Sequence, residues 1–193
     1  MELILSEEST IKWRSFLDGD NTSYEWLYNN YVHVLYAYGC HFTKDTDTVK
    51  DCIQDLFAYL YQERLRLTVP DNVKTFLLVS LKNRLLRTVA RERGLYRDIE
   101  DMNDGCGVFF IEPAAPAPDE EYIEKETIER QNRLISSMFA VLSSRQREII
   151  YYRYIRELDF SEICVLMNLN YQSARNLLLR SFQKIRARFS SLQ

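Results

Sequence analysis

The run from Leu142 to Arg186, LSSRQREIIYYRYIRELDFSEICVLMNLNYQSARNLLLRSFQKIR, carries its own punctuation. Ser143 and Gln146 stand at the spacing of a reciprocal helix cap, in which each side chain takes up the other residue's free backbone N–H. Ile149, Ile150, Arg153 and Tyr154 carry that helix on. Asp159 and Glu162 repeat the spacing ahead of Ile163, Cys164, Leu166 and Met167, which predicts a second, short amphipathic helix. Asn168 falls where a tight helix-ending turn needs a residue that tolerates positive φ. Leu169 is the apolar pin inside that turn, and Asn170 and Ser173 offer caps for a third helix. On this last helix Ala174, Leu177, Leu178, Phe182 and Ile185 are expected to face inward. Helix, short turn, helix is the layout of a helix-turn-helix.

The last helix presents Gln172, Ser173, Arg175, Asn176, Leu179 and Arg180 outward near its start. Gln and Asn pair bidentately with adenine and Arg with guanine in the major groove, so this set suits duplex reading. A helix N-terminus also favours a nearby phosphate. Lys184, Arg186 and Arg188 further along suit backbone phosphates. An ordinary helical hairpin with a solvated polar face has the same local pattern. The rest of the chain must therefore decide between the two.

Working toward the N-terminus, apolar residues keep a helical period. Trp26, Leu27, Tyr31, Val34, Leu35 and Tyr38 form one stripe; Val49, Cys52, Ile53, Leu56, Phe57 and Leu60 form another, with Asp45 and Asp47 as candidate N-caps. RLRLTVPDN, Arg64 to Asn72, has loop chemistry. A further helix follows, with Phe76, Leu77, Ser80, Leu81 and Leu85 on one face and Lys74, Lys82, Arg84 and Arg87 around the other; Gly94 is a candidate stop. From Tyr96 periodicity fades into GCG at 105–107 and PAAPAP at 113–118, which are linker chemistry. VFFI at 108–111 is a short apolar run, strand-like in character. Helical pattern returns near Tyr122, and Leu134, Met138, Val141 and Leu142 form a stripe. The organisation expected is all-α: a helical domain over 1–95, a flexible acidic, Pro-containing linker over 96–130 and a helix-turn-helix domain over 131–193.

Composition agrees. The 193 residues include only 5 Gly and 4 Pro, too few for the frequent turns of a sandwich or barrel. With 46% hydrophobic and 27% charged residues the chain can build a packed core. No apolar run approaches the roughly 20 residues needed to cross a bilayer. The opening MELILSEEST lacks the basic and apolar regions of a secretory signal. Cys40, Cys52, Cys106 and Cys164 are scattered without a CxxC pair, which suits reduced thiols and a cytoplasmic protein.

The formal net charge of −3 hides a strong segregation. From Asn72 to Arg97 the charges are Lys74, Lys82, Arg84, Arg87, Arg91, Arg93 and Arg97 against Glu92; from Tyr171 on they are Arg175, Arg180, Lys184, Arg186 and Arg188 with no acid. Between them, before Arg130, lie Asp98, Glu100, Asp101, Asp104, Glu112, Asp119, Glu120, Glu121, Glu124, Glu126 and Glu129 against Lys125. One basic run alone reads as a solvated helix face. Two such runs on helical patterns favour a polyanion partner. An enzyme is disfavoured, and no cofactor is expected. His33, Cys40, His41 and Cys52 lack a metal-ligand spacing, and no Gly-rich phosphate loop or nucleophile motif is present.

The 142–186 run resembles region 4 of sigma-70 family transcription initiation factors in the extracytoplasmic-function (ECF) group, which carry Arg-Gln-Arg-Glu, an apolar helix, Glu-Ile and a helix-turn-helix. DCIQDLFAYLY (51–61) followed by FLLVSLKNRLL (76–86) resembles region 2 of the same family, in the right order. The resemblance implies that Asp51, Gln54 and Asp55 dock on a coiled coil of core RNA polymerase. It implies that the loop Arg66 to Asn72, with Arg66, Asp71 and Asn72, captures a flipped −10 base, while Lys82, Asn83, Arg84 and Arg87 hold the opened strand. It places −35 duplex reading on Gln172, Ser173, Arg175, Asn176 and Arg180, with Lys184 on a phosphate. Core polymerase, promoter DNA and an anti-sigma factor are the partners implied. The chain departs from the family at Ser173-Ala174, where Thr-Val is usual, at Leu179, commonly polar, and at Arg87, often Asp. No stretch matches sigma regions 1.1 or 3, as in ECF members. The competing reading is a stand-alone helix-turn-helix regulator that binds its duplex without polymerase.

Overall fold

The computed structural model describes residues 2–92 and 137–190, with side chains from residue 7 on, and every element among them is helical. The chain divides into two compact units, Met1–Val108 and Phe109–Gln193. Gly94, Leu134, the GCG, VFFI and PAAPAP stretches and the expected linker limits at 95/96 and 130/131 lie outside the described residues.

The first unit holds α1 (Glu2–Leu17), α2 (Asn21–Gly39), α3 (Thr46–Gln62), a 3-10 turn (Arg64–Arg66) and α4 (Val73–Glu92). α1 was not expected, and its packing shows why. Ile11 is 62% exposed while Ser9 is buried, its hydroxyl 2.7 Å from the Tyr31 hydroxyl, so polarity and burial are uncoupled along this helix. What anchors it is aromatic. Trp13 and Phe16 are buried, and Trp13 stands edge-on to Phe16 at 5.8 Å and to Phe76 of α4 at 5.3 Å. The Trp13 indole N–H donates to the Thr68 carbonyl at 3.2 Å, tying α1 to the loop before α4.

Each later helix of this unit starts on a side-chain cap. Asp20 accepts from the N–H groups of Thr22 and Ser23 at 3.0 and 3.1 Å. Hydrogen bonds from the Ser23 and Thr22 hydroxyls and these N–H groups hold its carboxyl at about 2. For α3 the cap is Asp45, which accepts from Asp47 N–H at 3.0 Å; Asp47 itself sits in the first turn. Asn72 accepts from Thr75 N–H at 2.9 Å ahead of α4. The core they enclose includes Leu27, Leu35, Tyr38, Val49, Leu56, Leu60, Leu77, Leu81 and Leu85. Leu78 is buried as well, so the buried face of α4 is wider than its sequence stripe. Gly39 closes α2 where a Cβ would stand 2.5 Å from Val49 Cγ1. Gly39→Ala is therefore expected to cost about 1–3 kcal/mol by overpacking, seen as a lower midpoint of thermal unfolding.

In the second unit, residues 137–140 are helical and precede α5 (Ser144–Ile150), a π-helical stretch (Tyr151–Ile155), α6 (Phe160–Met167) and α7 (Tyr171–Ser190). Glu148, Ile149, Ile150, Tyr151 and Tyr152 are all buried in succession, which makes this segment the centre of the unit. The buried Glu148 carboxylate accepts from the Tyr152 hydroxyl at 2.7 Å, as a carboxylate removed from water requires. The widened turn closes on Arg156 N–H to Tyr151 carbonyl at 3.0 Å.

Candidate nucleic-acid interface

The turn between α6 and α7 is built as its residues dictate. Asp159 and Glu162 cap α6 reciprocally, and the hydroxyl of Ser161 and the N–H of Glu162 hold the Asp159 carboxyl below its ordinary value. Asn168 ends α6 with φ 49° and ψ 56°, and Leu169 N–H reaches back to Cys164 carbonyl at 2.9 Å. Arg145 of α5 donates to Met167 carbonyl at 3.0 Å, closing one of the orphan acceptors at the end of α6. Asn170 then caps α7 by accepting from Ser173 N–H at 2.8 Å. A left-handed backbone costs a residue with a Cβ about 1–2 kcal/mol unless its side chain is suited to it. Asn168→Val is expected to lose about that much stability and Asn168→Gly to lose none, by thermal unfolding of the full chain.

The two helices meet through Ile163, Leu166 and Met167 of α6 and Ala174 of α7, all buried. Past Ala174 the packing differs from the sequence reading. Leu177, Leu178 and Ile185 are only half-buried, and Phe182 is exposed, its ring edge-on to the exposed Tyr154 at 5.5 Å. Ser181 is the buried residue there, its hydroxyl satisfied by the Leu177 carbonyl at 2.7 Å. Phe182 is thus corrected from inward to outward: α7 runs on past the short α6, whose eight residues cover only its first turns.

On the outer face Gln172, Arg175, Asn176, Leu179 and Arg180 are exposed, and Ser173 is half-buried. Gln172 Nε2 donates to Asn176 Oδ1 at 3.2 Å, so these two amides engage each other. Lys184 is exposed, and its ammonium donates to Gln146 Oε1 at 3.1 Å, the oxygen that also takes Ser143 N–H in the cap of α5. It braces α7 onto α5. A groove of about 510 Å³ beside that brace is lined by Gln146, Arg180, Gln183 and Lys184. Arg145 and Gln146 open the Arg-Gln-Arg-Glu run and Arg153 lies in the helical pattern, but nothing in the sequence marked Arg145 or Arg153 as residues that position α6 and α7.

In the first unit Asp51, Gln54 and Asp55 share the exposed side of α3. Arg66 and Asp71 are exposed, with Arg66 paired to Glu63 at 3.0 Å, whereas the Asn72 side chain is engaged as the cap of α4. Asn83 and Arg87 are exposed and Lys82 and Arg84 half-buried, the Arg84 guanidinium lying 5.2 Å from the Tyr59 ring centre. α3 and α4 enclose a groove of about 420 Å³ whose walls include Asp55, Tyr59, Phe76, Asn83, Arg84 and Arg87. One acid and three polar or basic strand candidates thus line the same concavity. Tyr59, exposed and stacked against Arg84, is the wall residue the sequence reading passed over.

Cys52 is buried, its thiol 3.6 Å from the Thr88 hydroxyl, and burial pushes it up. Among the described residues no His, Cys, Asp and Glu side chains gather as a metal site, and no helix is long and apolar enough to cross a membrane.

A family model described as Sigma-70, region 4 matches residues 132–185. The ECF RNA polymerase sigma factor SigM of Bacillus subtilis (strain 168) is 21% identical over 164 residues, spanning 85% of this chain and 93% of that protein. Among solved structures, CnrH in complex with the cytosolic domain of CnrY superposes with a TM-score of 0.58 at 15% identity, covering 95% of this chain and 98% of that one. The sigma factor RpoE in complex with the anti-sigma factor NepR, from Bartonella quintana, gives a TM-score of 0.53 at 17% identity over 84% of this chain and 94% of that one. The structural likenesses are likenesses of fold.

Proposed function

We propose, because this chain belongs to the sigma-70 family in its extracytoplasmic-function group, that it binds core RNA polymerase and directs it to promoters by gripping DNA at two places. Its role is that of a sigma factor in transcription initiation. The observation that carries the proposal is α7: a helix capped by Asn170, seated through buried Ala174, with Arg175, Asn176 and Arg180 exposed. Such a helix fits a major groove, and we assign −35 duplex reading to it. To the first unit we assign −10 opening, with Asn83, Arg84 and Arg87 along the unpaired strand. Unstacking a base costs a few kcal/mol, which stacking on an aromatic wall and backbone charge can offset; Tyr59 and Arg84 supply such a wall and charge. The exposed Asp51, Gln54 and Asp55 of α3 are the proposed polymerase contact.

On this reading the catalysis belongs to polymerase, the protein works in the cytoplasm, and an anti-sigma factor holds it inactive. One structural neighbour is the sigma factor RpoE in complex with the anti-sigma factor NepR, and another is CnrH in complex with the cytosolic domain of CnrY; the first supports the last point. Run-off transcription on genomic fragments tests the whole. The expected result is a discrete transcript that needs both this chain and core polymerase. Failure to obtain one, or equally tight duplex binding by the chain alone, favours the stand-alone regulator instead.

A further inference from the structure

We infer that Tyr171 is the positioning residue for Arg175, and that it sets how selectively α7 reads a guanine. The inference rests on the assignment of α7 as the duplex-reading helix. Tyr171 opens α7 and is 56% exposed. Its ring lies 5.4 Å from the ring of Phe160, the first residue of α6. The Arg175 guanidinium, one helical turn on, is 5.8 Å from the Tyr171 ring centre. At the other end the Arg153 guanidinium is 5.7 Å from the Phe160 ring, and its Nη1 donates to the Leu158 carbonyl at 3.0 Å. Arg153, Phe160, Tyr171 and Arg175 thus form one row of cation, ring, ring, cation, anchored to backbone at Arg153 and ending on the outer face of α7.

The chemistry of the last contact makes it a device for reading. A ring holds a guanidinium by its flat face, and all the N–H donors of that group lie in its plane. The fork that pairs with guanine O6 and N7 stays unspent. A free arginine forfeits rotamer freedom on binding; one already laid on a ring forfeits less. The neighbouring amides are already partly engaged, since Gln172 Nε2 donates to Asn176 Oδ1 at 3.2 Å and each has spent one of its hydrogen-bonding positions on the other. Arg175 is therefore the member of this face prepared for a base, and Tyr171 prepares it.

The test is selection from a randomised double-stranded DNA library by the full chain with core polymerase, comparing wild type, Y171A, Y171L, Y171F and R175A, with Y171A/R175A as the double variant. Expected is a loss of guanine preference of about two- to fivefold at one position in Y171A and Y171L, the scale of an exposed cation–aromatic contact. The position should be the one that R175A erases. Y171F should restore the preference, and Y171A should add nothing in the R175A background. Unchanged preferences in Y171A and Y171L, equal weakening at every position, or additive effects in the double variant would overturn the inference while the wild type still selects a sequence. A wild type that enriches no sequence removes the assignment of α7 and this inference together.

Discussion

Trp13→Ala is expected to remove about 3–5 kcal/mol from the first unit, the usual cost of emptying a fully buried tryptophan site. Trp13 has no exposed surface, touches Phe16 and Phe76 edge-on, and holds the Thr68 carbonyl. The two rings it touches are fixed on α1 and α4 and refill the space poorly. At about 4–8 °C per kcal/mol for a domain of this size, the thermal midpoint should fall far enough to unfold the unit under ordinary growth conditions. Trp13→Phe separates volume from hydrogen bonding: it should cost less, and the part due to the unmade bond to Thr68 is about 1 kcal/mol. Circular dichroism against temperature decides it, and an unshifted transition in Trp13→Ala would mean that α1 is not part of the core. The functional consequence runs through Thr68, which belongs to the loop leading to Asp71, Asn72 and the start of α4.

The second large effect belongs to α7. Arg175→Ala should weaken binding to the duplex that the wild-type holoenzyme selects by roughly ten- to a hundredfold, since a bidentate arginine–guanine pair discriminates by about 1–3 kcal/mol. The loss should be confined to sequences with the preferred base and vanish on a duplex altered at that one position. Arg186 is exposed on the later turns that suit backbone phosphates; Arg186→Ala, by contrast, should weaken all duplexes alike and lower the salt slope by about one. Fluorescence anisotropy over a salt series separates the two patterns. If Arg175→Ala weakens every duplex equally, its guanidinium is a phosphate contact and base reading lies elsewhere on the helix.

What could be read from the sequence was what local chemistry decides. Ser143 with Gln146, Asp159 with Glu162, and Asn168 at positive φ do in three dimensions what their spacing announced, because a cap involves only residues two to five apart. The stripes of α2, α3 and α4 held for the same reason. α1 escaped notice because its burial depends on Tyr31, Phe76 and Thr68, all remote in the chain. Phe182 was misplaced because periodicity tells which face of α7 is apolar and says nothing of how far α6 extends to cover it. The residues that steer the interface, Arg145 on Met167, Lys184 on Gln146 and Tyr171 beneath Arg175, act across a turn or between helices. No pattern of residue types along one strand of sequence encodes that.

The widened turn at Tyr151–Ile155 is a place where the chain can absorb a change of length. A π turn holds one residue more than an α-helical turn over the same stretch of axis. A residue can therefore be gained or lost here, and the following hairpin keeps its footing while the buried Ile149 and Tyr152 keep their places inside. Gaps among descendants of this module should gather between Tyr151 and Ile155 and spare the segment from Asp159 to Asn170, where both helix ends are stitched shut.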